Sequence, residues 1–576
     1  MKNLPILILA ISFASNCNNL FAQDNNTLPN HGLTHKLTDS EKISMKNTYK
    51  DFLTTAPPAG PVRNIAEFET SEAVIIAYVN GFGLPYTVIK DLSNTGKVII
   101  VSSTSQATLT NLLNTNNVNM ANVSFLTSSL NSWWTRDYSG WFIADSSDHV
   151  QIVDFTYNRP RPLDDAVTGL EATMLGITMY GMDLVHTGGN YMCDGFNNAV
   201  STVLVEEENT SLTTAQIQQK ASDYLGINNY MIRPDAQGAY IEHIDCWAKL
   251  LAPDKMLVDS VPATDAQYSM YEAAAAYFAS TASPYGYNYK VTRVLIAGSA
   301  ETAAAEPYSN SFIFNNRVFV PIKGGSSAPH DTAALQRYRA AMPGYIVKGY
   351  TAASGAAWYG TDALHCRTHE IADRAMLYIE HLPLYGYLNS TVGYDVNAKV
   401  ISYAGNPIIS GYPKVIYKIN SNGTWDSIAM TNVGGHNYSG TIPNQTSGDT
   451  VFYYIKAKDS TGKIAFHALM GKMDPHYFII DGSIGIPELN VNTELSYFTY
   501  PNPSKGSFYL FLKSNYADKA TIKIFNILGK EIYFDNFEFE SGSNKKSINL
   551  NNVNSGVYFI EIKSKAGVFS KKLIIE

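Results

Sequence analysis

At 576 residues the chain is too long for one domain and, at roughly 100 to 200 residues per domain, fits about three to five. Hydrophobic residues at 45% and aromatics at 12% supply ample core material and exclude wholesale disorder. A net charge of -8 with no concentrated Lys/Arg stretch excludes the electrostatic footprint of a nucleic-acid binder.

The chain opens with Met1-Lys2, an apolar run over residues 4–14 and a small residue, Ala22, before Gln23. The run is too short to span a bilayer, and together these features predict a secretory signal peptide over residues 1–22 and an exported chain. Cys17 raises a lipoprotein alternative, but Ala14-Ser15-Asn16 lacks the leucine of a lipid-attachment site, and cleavage after Ala22 would discard it. That leaves Cys193, Cys246 and Cys366, an odd number that does not suit a disulfide scaffold. Residues 23–50 are polar and lack periodicity, as expected of a flexible leader or propeptide.

Over residues 51–390 short β-rich runs, at 73–78, 98–101 and 291–296, alternate with amphipathic helical windows near 105–115, 213–226, 265–280 and 331–342. This predicts an α/β domain. Strand pairs followed by a helix recur, which fits either a doubly wound sheet or a ring of small repeated units. Residues 391–485 carry only short alternating strands, such as 415–419 and 451–455, punctuated by Asn422-Gly423, Gly434-Gly435 and Ser447-Gly448. They predict an immunoglobulin-like β-sandwich without a disulfide. A linker at 482–487 leads to a small all-β block over residues 495–576, with Tyr500-Pro501-Asn502-Pro503, Gly506, Gly529 and Gly556 in order.

No phosphate-binding loop, Gly-x-Ser-x-Gly elbow or His-Glu-x-x-His zinc helix is present, since Asp373 stands where the second zinc ligand would follow His369-Glu370. Three polar clusters remain. In the first, Cys366 lies between His365 and Arg367, with His369 close by, and cationic neighbours favour the nucleophilic thiolate. A buried small hydrophobe and a zinc site from His365, Cys366 and His369 are the alternatives. In the second, His243 and Asp245, two apart on an extended strand, would project together while Ile244 and Cys246 face the core. A surface ion pair is the alternative there. The third holds Trp133, Trp134 and Asp137, suited to a cationic ligand, followed by Arg159 and Arg161, stiffened by prolines and able to grip an anion. Ordinary core and a solvated loop are the alternatives.

Trp134-Thr135-Arg136-Asp137, Asn158-Arg159-Pro160-Arg161-Pro162, Gly188-Gly189-Asn190, His243-Ile244-Asp245, Asn310 and the 364–369 segment resemble, in order, the secreted bacterial peptidylarginine deiminases. These belong to the agmatine deiminase-like penteins. The resemblance implies a five-bladed α/β propeller and deimination of arginine to citrulline through a covalent thiouronium. It further implies Cys366 as nucleophile, His243 as general acid and base, and Asp137 and Asp245 as carboxylates on the guanidinium. Asn310 would assist near the nucleophile, Trp134 would wall the guanidinium slot, and Arg159 and Arg161 would receive a substrate carboxylate. Cys193 has no family role and is either core or a reactive thiol. The last block resembles the carboxy-terminal sorting domain of type IX secretion substrates, implying export by that machinery to the medium or cell surface. Expected partners are therefore arginine-containing peptides or proteins and the type IX machinery, with no nucleic acid and no transmembrane segment. No metal-ligand cluster is evident, so no metal or cofactor is expected, nor the calcium dependence of animal deiminases. The competing functions are an exported agmatine deiminase and an inactive surface-binding protein.

Overall fold

The computed structural model describes residues 35–38, 40–41, 52–299, 305–390, 392–480, 495–500, 502–514, 516–550, 553–565 and 567–575. The expected signal peptide, most of the leader and the 482–487 linker lie outside the described residues. The chain divides into two compact units, one comprising Met1–Lys249, Leu257–Ala274 and Arg293–Arg374, the other Leu250–Met256, Ala275–Thr292 and Ala375–Glu576.

The first unit is mixed α/β. Ser71–Ala77 lies between Lys97–Ser102, which it pairs in parallel, and His369–Ala372, which it pairs antiparallel, and Val123–Thr127 extends the sheet beyond Lys97–Ser102. Ser71–Ala77 reads Ser-Glu-Ala-Val-Ile-Ile-Ala and is buried along almost its whole length, the pattern of a strand covered on both faces. Elsewhere a hairpin followed by a helical crossover to a parallel strand repeats. Trp141–Ala144, Val150–Tyr157 and Met179–His186 follow it, as do Met192–Cys193, Asn198–Thr202 and Asn229–Arg233, and then Phe312–Phe314, Arg317–Pro321 and Ile346–Tyr350. Ala248–Ala252, Lys255–Ser260 and Lys290–Leu295 form another three-stranded sheet.

The helices Gln106–Thr115, Thr214–Leu225, Tyr268–Ser280 and Ala328–Ala341 fall on the four expected windows. Thr214–Leu225 is bounded by a reciprocal capping box of Thr213 with Gln216 and by Gly226 at φ 69°, a left-handed cap that favours glycine. The helix Tyr86–Thr95 was not among those windows, and its apolar face of Val88, Ile89 and Leu92 packs into the same core as Val74, Ile76, Val98 and Ile100.

In the second unit, Leu377–Glu380, Tyr394–Ser402, Asn437–Ile442 and Thr431–Gly434 form a four-stranded sheet. A six-stranded sheet carries Lys414–Ile419 and Thr450–Lys458, and both sheets contribute to one core around Val396, Val415, Tyr453 and Phe478. The described residues of 495–575 form a three-stranded and a four-stranded antiparallel sheet around Leu510, Ile522, Ile560 and Leu573. Among the described residues no helix is long and apolar enough to cross a membrane.

Candidate active site

The site begins where Asp164 fixes the loop before two tryptophans. Its Oδ1 accepts the backbone N–H groups of Asn131 at 2.7 Å and Ser132 at 3.0 Å, and its Oδ2 accepts the Ser132 hydroxyl at 2.7 Å. Trp133 and Trp134 are then buried, and the one-turn helix Thr135–Tyr138 carries Asp137 inward.

Cys366 sits in the short turn His365–Arg367, its sulfur in an apolar cluster with Ala77, Trp133 and Trp134. Asn310 organises this turn, accepting the N–H groups of His365 at 3.0 Å and Cys366 at 3.3 Å on Oδ1. Its Nδ2 donates to Cys366 Sγ at 3.2 Å and to Asp245 Oδ2 at 3.0 Å. The expectation that flanking cations stabilise thiolate is not met. Arg367 points away, forked onto Asp362 at 2.9 and 2.6 Å, bonded to the carbonyls of Gly83, Ala356 and Ala357, and held between the rings of Trp133 and Trp358. His365 is committed on both nitrogens, Nδ1 to Asp245 at 2.7 Å and Nε2 to Glu67 at 2.9 Å. The nearby charges that act on the sulfur are anionic. Burial, with the charges of Asp245, Asp362 and Asp137, raises the Cys366 thiol well above its ordinary value, so it rests protonated. The geometry of the cations, which sequence adjacency cannot convey, reverses the local field.

Residues 244–246 also depart from expectation, forming a 3-10 turn instead of a strand. Cys246 N–H bonds His243 O and Trp247 N–H bonds Ile244 O, both at 3.2 Å, while Asn190 Oδ1 accepts Ile244 N–H at 3.3 Å. A two-residue alternation is too short a pattern to hold an extended segment once these partners are available. His243 and Asp245 nevertheless both reach the site. They meet over Gly189, where an added Cβ would lie 2.6 Å from His243 Nδ1, 2.8 Å from Asp137 Oδ1 and 3.3 Å from Asp245 Oδ2. A Cβ on Gly188 would lie 1.9 Å from the Arg136 carbonyl oxygen. The Gly188-Gly189-Asn190 run is therefore the floor on which His243, Asp137 and Asp245 converge, and Asn190 ties that floor to the 244–246 turn.

His243 is buried with neither ring nitrogen hydrogen-bonded, and burial pushes it down to about 4 against the opposing pull of Asp137 and Asp245. Burial resists ionisation of Asp245, yet the hydrogen bond and charge of His365 bring its carboxyl below the usual value. Asp137 is likewise buried, and the charge and hydrogen bond of His35, with His243 and Arg159, outweigh that burial and hold it below the ordinary carboxylate range.

Arg159 and Arg161 are buried, not solvated, and the Arg161 guanidinium lies 5.1 Å from the Trp134 ring centroid. Both meet the leader. Arg159 Nε donates to the main-chain carbonyl of His35 at 3.4 Å, and Arg161 Nε donates to Glu41 Oε1 at 3.1 Å. His35 itself is fully buried, with Nε2 2.7 Å from Asp137 Oδ2, Nδ1 3.1 Å from the Thr361 carbonyl and its ring stacked on Trp134 at 4.6 Å.

Sequence inspection missed His35, Glu67, Lys249 and Asp362 as parts of this site. Glu67, paired with buried Lys249 and His365, is carried to the turn by the fold from 298 positions away, and no local pattern announces it. The glycines were visible as a motif, but their steric reason is three-dimensional. Cys193 resolves as core, its thiol directed to the Ile65 carbonyl at 3.5 Å and raised by burial. Cys246 is also buried, its thiol against Asp245 Oδ1 at 3.4 Å, which places it behind the carboxylate and not in remote core.

Residues 84–371 match a model of deiminases, hydrolases that act on the C–N bonds of amidines within the pentein class. That model, which covers half of the chain, is the Porphyromonas-type peptidyl-arginine deiminase, and the chain belongs to this family. Residues 499–576 match the secretion system C-terminal sorting domain, which indicates export to the medium or cell surface. A Mycoplasma mycoides protein named "Putative agmatine deiminase" is 23% identical over 295 residues, 45% of this chain and 79% of its own length. A Shewanella frigidimarina protein of the same name is 25% identical over 289 residues, 44% and 76% of the two chains. Among solved structures, the agmatine deiminase of Enterococcus faecalis is similar at a TM-score of 0.47 and 22% identity, covering 56% of this chain and all of that one.

Proposed function

We propose that the chain is an exported peptidyl-arginine deiminase that converts arginine, preferentially at a peptide C-terminus, to citrulline and ammonia. The observation that carries this is the meeting of His243, Asp137 and Asp245 over Gly189, with Asn310 bonding both Asp245 and the Cys366 sulfur and two buried arginines beside them. The five small sheets of 63–372 support reading the fold as a five-bladed α/β propeller.

In this reading the planar cation enters between Asp137 and Asp245 against Trp134. Its charge offsets the carboxylates that keep the thiol protonated, so ionisation of Cys366 is coupled to substrate arrival. The thiol proton passes to His243, neutral at pH 7 because burial has lowered it. The sulfur bonds to the guanidinium carbon, and a C–N bond breaks as protonated His243 returns the proton to the departing ammonia. Neutral His243 then takes a proton from water, whose oxygen bonds to the thiouronium carbon. The C–S bond breaks as the sulfur takes the proton back from His243 and the adduct's hydroxyl proton is lost to solvent, giving the ureido group and the free thiol. Asn310 holds sulfur and carboxylate in register throughout.

Arg159 and Arg161 would take the peptide carboxylate through charge-assisted bonds. Citrulline formation from peptides with free C-terminal arginine, the same peptides amidated, and agmatine tests the assignment. Replacing both arginines by alanine should slow the free-terminus peptide by about 30-fold or more, from a lost ionic contact of roughly 2 kcal/mol or above, and leave agmatine nearly unchanged. Equal rates on free and amidated termini by the unaltered enzyme would shift the assignment to an agmatine deiminase.

A further inference from the structure

The leader residues His35, Lys36, Thr38 and Glu41 have no place in the reaction just described, yet they make intimate contacts in the site. The His35 ring is a flat, nitrogen-bearing group of about the width of a guanidinium. It occupies the face of Trp134 at an interplanar angle of 23° and stands edge-on to His243 at 6.0 Å. One nitrogen meets the Asp137 carboxylate and the other a carbonyl oxygen, both acceptors, as the N–H groups of an arginine side chain would.

The match continues beyond the ring. Thr38 and Glu41 form a reciprocal box in which Thr38 N–H donates to Glu41 Oε2 at 2.8 Å and Glu41 N–H donates to Thr38 Oγ1 at 3.2 Å. That box orients the Glu41 carboxylate so that its other oxygen reaches Arg161. Lys36 lies over the Tyr240 ring at 5.2 Å, a further hold outside the slot. A flat basic ring on Trp134 and Asp137, a main-chain carbonyl on Arg159 and a carboxylate on Arg161 thus occupy the groups assigned above to the guanidinium and the carboxylate of a peptide ending in arginine.

We propose that residues 35–41 are a built-in pseudosubstrate that keeps the exported chain latent until the leader is removed. The inference rests on the deiminase reading for the identity of the slot, though not for its occupation. Imidazole resists the reaction because its ring carbon between the nitrogens has no amine to lose, so the segment occupies the site without being turned over. The sequence joining Glu41 to Phe52 contains Lys42, Lys46 and Lys50, so a protease specific for basic residues could sever the plug from the catalytic domain. An intramolecular ligand competes at a high effective concentration, and removing it should raise apparent substrate affinity by the reciprocal of the open fraction.

The test compares three chains: residues 23–576, the same chain with His35→Ala and Glu41→Ala, and residues 52–576. The readout is the rate at which 2-chloroacetamidine, a small cationic thiol alkylator, labels Cys366, located by mass mapping, with thermal unfolding as a check on folding. Labelling should accelerate about tenfold or more in the double variant and in the shortened chain, corresponding to a plug closed at least nine-tenths of the time. An acetylated peptide of residues 33–43 added to the shortened chain should slow labelling again, and its His35→Ala version should not. Equal labelling of the 23–576 chain and its folded double variant would overturn the proposal, even if the shortened chain fails to fold. Citrulline release, measured in parallel, separates the two ideas. Faster labelling without citrulline from any chain would leave the plug standing and refute the reaction, and citrulline at equal rates from all chains would do the reverse.

Discussion

Replacing Gly189 by alanine isolates the geometry of the active site from its chemistry, because no functional group is removed. The backbone at Gly189 lies outside the left-handed region, so the substitution acts through its methyl group alone. That methyl would stand 2.6 Å from His243 Nδ1, and ordinary contact requires the imidazole to retreat by roughly 0.8 Å. The Asp137 carboxylate, at 2.8 Å, must give way by roughly 0.6 Å in the same event. If His243 and Asp137 have the roles proposed, displacing them by roughly 0.6 to 0.8 Å is expected to lower turnover by on the order of 100-fold. The control is Gly169→Ala in the helix Val167–Leu175, where an added methyl meets nothing within 4 Å and helix propensity favours alanine by roughly 0.5 to 1 kcal/mol. Citrulline formation and thermal unfolding would be measured for both variants and the parent, with the leader treated alike in all three. A Gly189→Ala enzyme that turns over within threefold of the parent would refute the convergence of the three side chains over this glycine.

Cys366→Ser in a folded chain should abolish citrulline formation, and His243→Ala should reduce it by about 100-fold or more, as steady-state rates will report. Glu171 is buried, accepts a hydrogen bond from Ser139 at 2.9 Å and is pushed up to about 8 by burial, then by the nearby Asp154 charge. A raised carboxyl stabilises the fold below its unfolded pKa, near 4.5, and loses that contribution as pH climbs towards 8, so Glu171→Gln should flatten the fall in melting temperature across that window. A chain ending at residue 485 should retain activity and lose normal export, as fractionation of the secreting cell would show, since residues 499–576 match the sorting domain.

Local signals carried much of the architecture into view. Continuous apolar runs such as 98–101 became buried parallel strands, and the helical windows reached their caps within a few residues. Chemistry-bearing motifs 230 residues apart were recognisable because each carries an unusual combination of side chains. What the sequence could not convey was direction. Arg367 is next to Cys366 in sequence and faces two indoles in space, while His365 turns its ring towards Glu67. His35 stands in a polar leader with no periodic pattern around it, and only the folded chain brings it to Asp137, 102 positions away.

An exported enzyme meets oxidants that a cytoplasmic one is spared, and peroxide attacks the ionised form of cysteine far faster than the neutral form. The carboxylates around Cys366 hold its sulfur in the slow-reacting state while the site stands without a cation. The same negative field that would receive a guanidinium in the proposed reaction thus acts as protection against sulfenic acid formation. The enzyme should survive hydrogen peroxide best when idle and be most vulnerable during turnover, the opposite of the protection that substrates usually confer.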